Sequence, residues 1–109
     1  MAAFADPFAG ANHTQEFDDH DLIQAIRMDI ASELEAMFLY DSHARLAKDP
    51  VVRKTLSEIR DEEREHMGEL IACLRHLSPE ETDLMLEGQG EVMEKAEELG
   101  VDFQALGVK

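Results

Sequence analysis

The chain has 109 residues, with 25 Asp or Glu against 10 Lys or Arg and a formal charge of −15. That length holds one small domain. That charge repels nucleic-acid backbones and anionic membrane surfaces, and gathers cations instead. Aromatic residues make up 6% and Trp is absent, while Glu, Leu, Ala and Met are frequent. This composition favours an all-α chain.

Cys73 is the single cysteine, so an intrachain disulfide is excluded. The first ten residues, "MAAFADPFAG", have neither a basic start nor a long apolar run, unlike a secretory signal. No stretch reaches the roughly 20 apolar residues of a membrane span. The expectation is a soluble, cytoplasmic protein without nucleic-acid or membrane partners.

Residues 1–17 show no periodicity and include Pro7 and Gly10, which reads as a flexible arm. A helical domain is expected over 18–99. Its first helix starts near Asp18 or Asp19, either of which can cap it, and runs to about Lys48. "KDP" at 48–50 is the clearest punctuation: Asp49 can cap, and Pro50 suits the first helical position, where its missing N–H costs nothing. So short a connection implies an antiparallel helical hairpin. The second helix runs from Pro50 to about Leu77. At "SPEE", Ser78 caps, Pro79 comes first and Glu81 completes a capping box. The third helix is weakened by Gly88 and Gly90 and stopped by Gly100. A tail over 100–109 follows.

Each long helix spans about 40 Å at 1.5 Å per residue. A two-helix hairpin cannot cover an apolar stripe on both sides, so a second copy is expected to pair with it, making a four-helix bundle.

One face of the second helix reads Val52, Leu56, Ile59, Glu63, His66, Leu70, Cys73, Leu77 at spacings of three and four. Glu63 and His66 interrupt it and are neighbours on adjacent turns. On the first helix, Ile26, Ile30, Glu33, Met37, Tyr40 and Ala44 form a similar stripe, interrupted by Glu33. A carboxylate buried without a partner costs several kcal/mol, so it calls for a metal, a cation or a proton. Glu33 lies 16 residues before Asp49, roughly 24 Å along the axis; Glu63 and His66 lie 13 and 16 residues after Pro50, roughly 20 and 24 Å along the partner helix. All three fall at one level of the hairpin. Carboxylate-bridged di-iron bundles use a Glu from each of two helices and a Glu-x-x-His from each of the other two. One hairpin supplies half of that set, and two copies related by a two-fold axis would supply all of it. Oxygen-rich ligation with two imidazoles favours iron or manganese over a structural zinc site. Glu62, Glu65 and Glu69 read as a solvated face, His43 and His76 as surface residues near helix ends, and Cys73 as a small core residue. Met28, Met37 and Met67 read as core or interface filler.

"SELEAMFLY" at 32–40 together with "RDEEREH" at 60–66 resembles the encapsulated ferritins, short ferritin-like proteins carried inside encapsulin shells. The resemblance covers roughly residues 20–78. It implies that Glu33, Glu63 and His66 are ferroxidase ligands, that Tyr40 lies beside the centre, and that iron is oxidised between two subunits. It also implies a ring, typically five dimers, inside an encapsulin nanocompartment whose shell stores the mineral. Ser32 and Leu39 stand where the family often has an acidic and an aromatic residue, which leaves Glu35 as the candidate for guiding incoming metal. The leading expectation is a ferroxidase acting on Fe(II). The alternative is a non-catalytic protein that buffers metal, or is stapled by it, with zinc, manganese or calcium as substitutes at the same ligands. A third reading, a purely structural helical adaptor, would bind no metal.

Overall fold

The computed structural model describes residues 16–104. Within them the fold is all-α: α1 spans Asp19–Leu46, α2 Pro50–Leu77 and α3 Pro79–Glu98. The described chain divides after Leu77 into two compact units, 16–77 and 78–104. The helical domain expected over 18–99 therefore takes parts of both. The expected arm falls almost wholly on residues 1–15, and the end of the tail on 105–109, outside the described residues.

The first unit is an antiparallel hairpin, and its helix ends follow from local chemistry. Asp18 caps α1: its Oδ1 accepts from the Asp21 backbone N–H at 2.8 Å, and Asp21 Oδ2 accepts from the Asp18 N–H at 3.3 Å. This is a capping box built from two aspartates. α1 ends at Leu46, two residues before the expected Lys48, because Ala47 turns extended (φ −69°, ψ 128°). Asp49 caps α2, and a residue ahead of proline disfavours helical backbone. Its Oδ1 accepts from the N–H groups of both Val51 and Val52 at 3.0 Å.

Among the described residues of the hairpin, only Ala44 and Leu74 are fully buried, at 2% and 3% exposure. Two buried side chains are a thin core for helices of 28 residues each. A short polar contact between the helices supplements it. Arg60 Nη1 on α2 donates to Asp41 Oδ1 on α1 at 2.8 Å. Asp41 Oδ2 also meets Arg45 Nε at 3.2 Å, and Arg60 Nε donates to Asp61 Oδ1 at 3.2 Å.

In the second unit, Ser78 Oγ accepts from the Glu81 N–H at 3.3 Å and Pro79 opens the helix. The helix then runs unbroken through Gly88 and Gly90 to Glu98. Each glycine costs roughly 1 kcal/mol relative to alanine, and the Leu, Met, Glu and Lys around them are strong helix formers that offset it. Gly100 ends α3 as expected: its φ of +70° lets the Val101 N–H reach Ala96 O at 2.9 Å and its own N–H reach Glu97 O at 3.1 Å. That is a Schellman motif, which favours glycine at this position.

Two outcomes follow. Asp18→Ala leaves the first turn of α1 without its acceptor and should cost about 1 kcal/mol, read as a lower urea midpoint by circular dichroism. Asp41 has its carboxyl held below the usual 3.8, chiefly by the hydrogen bond from Arg60. Its contribution is therefore present above about pH 4 and lost as pH falls through the lowered folded value. Asp41→Asn should remove this component, leaving a shallower loss of stability in acid below pH 4 than the parent chain shows.

Candidate metal centre

The short turn brings the polar interruptions of the two stripes together. Among the described residues, Glu33, Glu63 and His66 form one group whose ligand atoms all lie within 4.8 Å of one another. His66 Nδ1 is 3.5 Å from Glu33 Oε1 on α1, and 3.5 Å from Glu63 Oε2 one turn back on α2. That separation is long for a hydrogen bond. It is close to the spacing of donors around a shared ion: two ligands each ~2.1 Å away, at tetrahedral to octahedral angles, stand ~3.0–3.4 Å apart. Two carboxylates and one imidazole also suit a divalent transition metal chemically.

The carboxylates are partly covered and the imidazole is not. Side-chain exposure is 23% for Glu33, 17% for Glu63 and 46% for His66. Leu56, Ile59, Met67 and Leu70 are half-buried on α2 around Glu63, so the carboxylates sit among apolar neighbours, yet the cluster opens to one side. A single chain therefore brings together three groups that could hold a metal ion, with the imidazole on the more exposed side.

The other expected residues fall as follows. Tyr40 is half-buried, seven residues beyond Glu33 and about 20° off its direction around α1; it shares the stripe but stands two turns along. Glu35 lies about 200° around α1 from Glu33 and is not in the group. Glu62, Glu65 and Glu69 are exposed, as are His43 and His76, while Met28, Met37 and Met67 are half-buried.

Cys73 departs from expectation. It is exposed rather than a core residue, because the inward position at that level belongs to Leu74. It lines an apolar groove of about 470 Å³ with Leu22, Ile26, Ala72, His76 and Leu77. The Asp41–Arg60 pair was not singled out by sequence reasoning. Counting from the turn would have reached it: Asp41 is eight residues before Asp49 and Arg60 ten after Pro50, roughly 12 and 15 Å along the two axes.

No family model matches the chain. The structure is similar to the crystal structure of an encapsulated ferritin domain from Pyrococcus furiosus, with a TM-score of 0.74, 33% identity, and coverage of 85% of this chain and 94% of that one. The chain belongs to the encapsulated ferritins. Curated relatives agree. A ferritin-like–encapsulin shell fusion protein of Pyrococcus furiosus is 36% identical over 83 residues, 76% of this chain and 24% of its own length. The encapsulin nanocompartment cargo protein EncB of Myxococcus xanthus is 35% identical over 65 residues, 60% of this chain and 41% of its own. A ferritin-like protein of Thermotoga maritima is 38% identical over 61 residues, 56% of this chain and 53% of its own. The chain thus matches from 24% to 53% of the length of these curated relatives. No helix of the described residues is long and apolar enough to cross a membrane.

For this encapsulated ferritin, replacing a ligand should be felt in metal affinity before it is felt in the fold. Glu63→Ala or His66→Ala is expected to weaken Co(II) binding at least by the ~10–100-fold that loss of a supporting residue typically costs. Isothermal titration measures the affinity, and circular dichroism should show unchanged helix content.

Proposed function

We infer that the chain is a ferroxidase whose centre is completed by a second copy. The observation that carries this reading is the meeting of Glu33 from α1 with Glu63 and His66 from α2, their ligand atoms within 4.8 Å. Two such groups facing each other across a two-fold axis would offer four carboxylates and two imidazoles to two Fe(II) substrate ions, the donor set of carboxylate di-iron bundles. Each iron gives up one electron, so two Fe(II), one dioxygen and two protons yield two Fe(III) and one hydrogen peroxide. The protein's part is to hold the ions close, leave coordination positions open, and screen them from bulk water. Tyr40, two turns along the same stripe, is the residue we assign to tuning or protecting the centre.

Three further observations support the second copy. The centre is open at His66. The hairpin buries few of its apolar side chains. The apolar groove of Leu22, Ile26, Cys73 and Leu77 lies on the same two helices as the open centre. Burying such surface between copies is favourable by roughly 25 cal/mol per Å². We further propose that the assembly is a ring of such dimers and that it works inside an encapsulin shell, as the names of the fusion and cargo relatives suggest. Residues beyond Gly100, with Val101 and Phe103 exposed, are the proposed contact with that shell.

The test is anaerobic loading with Fe(II), followed by air. Oxidation should be fast in the parent chain and fall to the uncatalysed rate in Glu63→Ala, and metal should shift the mass distribution toward even numbers of copies in native mass spectrometry. Iron that binds but oxidises no faster than in buffer would instead favour the metal-stapled assembly.

A further inference from the structure

Arg60 and His66 stand three residues before and three after Glu63. At about 100° per residue they point about 60° to either side of it. One flank of the hairpin thus carries the imidazole and the other the guanidinium. On the guanidinium's flank, Arg60 joins the helices through Asp41, nineteen residues away in sequence, at 2.8 Å. A second bond, to Asp61 at 3.2 Å, fixes the plane of the guanidinium. Asp41 is held in turn by Arg45 at 3.2 Å and Asp61 by Arg64 at 3.1 Å. Arg60 and Asp41 are only 21% and 32% exposed, whereas the single-helix pair Lys54–Glu58 is 80% and 64% exposed at 3.9 Å. Solvated pairs of the latter kind contribute little. A short, partly covered pair held at both ends is geometrically specific.

Apolar packing on this flank is thin, with Met37 alone half-buried among the apolar residues that line the recess beside the pair. Leu34 and Phe38 beside the pair are 50% and 70% exposed. A slide of α1 against α2 by the rise of one residue moves each α1 side chain about 1.5 Å along the axis, enough to disturb the 3.5 Å approach of Glu33 to His66.

We propose that the Asp41–Arg60 pair is a positioning device for the metal ligands. It fixes the axial register of α1 against α2 from the flank opposite His66, and leaves the imidazole's side free for metal and the second copy. The inference rests on the reading of Glu33, Glu63 and His66 as metal ligands.

The experiment uses the full chain and Co(II), a probe that air does not oxidise there, at one protein concentration. Salt of about 0.3 M screens the loss of one distant charge. Affinity is read by isothermal titration and ligand geometry by the visible Co(II) spectrum, at a temperature where every variant is folded. Asp41→Asn should weaken binding roughly tenfold and alter the spectrum. Asp41→Glu, which keeps the carboxylate, should stay near the parent chain. Asp18→Ala, destabilised at the remote end of α1, should keep parental affinity and spectrum. Parental affinity and spectrum in Asp41→Asn would overturn the proposal, and so would an equal loss in Asp18→Ala, which would mark a general stability effect. A parent chain that binds no Co(II) would overturn the metal reading itself, an outcome distinct from either.

Discussion

The structure depends on the register of two helices joined by a three-residue link. Asp49 does most of the work at that link. Its single carboxylate oxygen takes two N–H groups of the next helix, and the following Pro50 prevents α1 from continuing. Once the turn is made, each residue of α1 falls at an approximate height against α2, so the residues that meet far from the turn can be found by counting, and the Asp41–Arg60 pair then holds that height. Glu33 meets Glu63 and His66 for this reason, and Asp41 meets Arg60 for the same one.

The two meetings differ in kind, and the difference explains how so acidic a chain holds together. On one flank, carboxylates meet cations already present in the sequence, and the charges cancel within the hairpin. On the other, two carboxylates meet an imidazole, and the cluster is left short of positive charge. An apolar stripe does not accept two such groups without compensation. The deficit, at a level otherwise occupied by leucine and isoleucine, distinguishes this acidic pair from the solvated glutamates at 62, 65 and 69. A bare excess of acid says little; acid placed where water is partly excluded says a good deal more.

Much of this was legible in the sequence because its signals are local. Caps at Asp18, Asp49 and Ser78, prolines at 50 and 79, and glycine at 100 each act within four residues, and the helices they bound follow. The three centre residues were legible because the connection was short enough to count across. Cys73 was not: one position in helical phase separates it from Leu74, and a stripe read at spacings of three and four does not resolve that step. Gly88 and Gly90 suggested a weak α3, but the cost of a glycine competes with the whole helix around it, not with its neighbours alone. Asp41 and Arg60 escaped notice because charged residues cover most faces of every helix here, and nothing in their spacing separates a bridging pair from a solvated one. The proposed completion of the centre by a second copy would depend on atoms outside the chain, whose placement the pattern within it does not specify.

The openness of the cluster at His66 has a consequence for how activity scales. If a working centre needs two chains, a lone chain is inert, and the concentration of working centres at low abundance rises with the square of the amount of protein. A freshly made chain would then pass through the cell without oxidising the iron it meets. The chemistry would switch on only where copies are crowded together, so local density, as much as sequence, would decide where iron is oxidised.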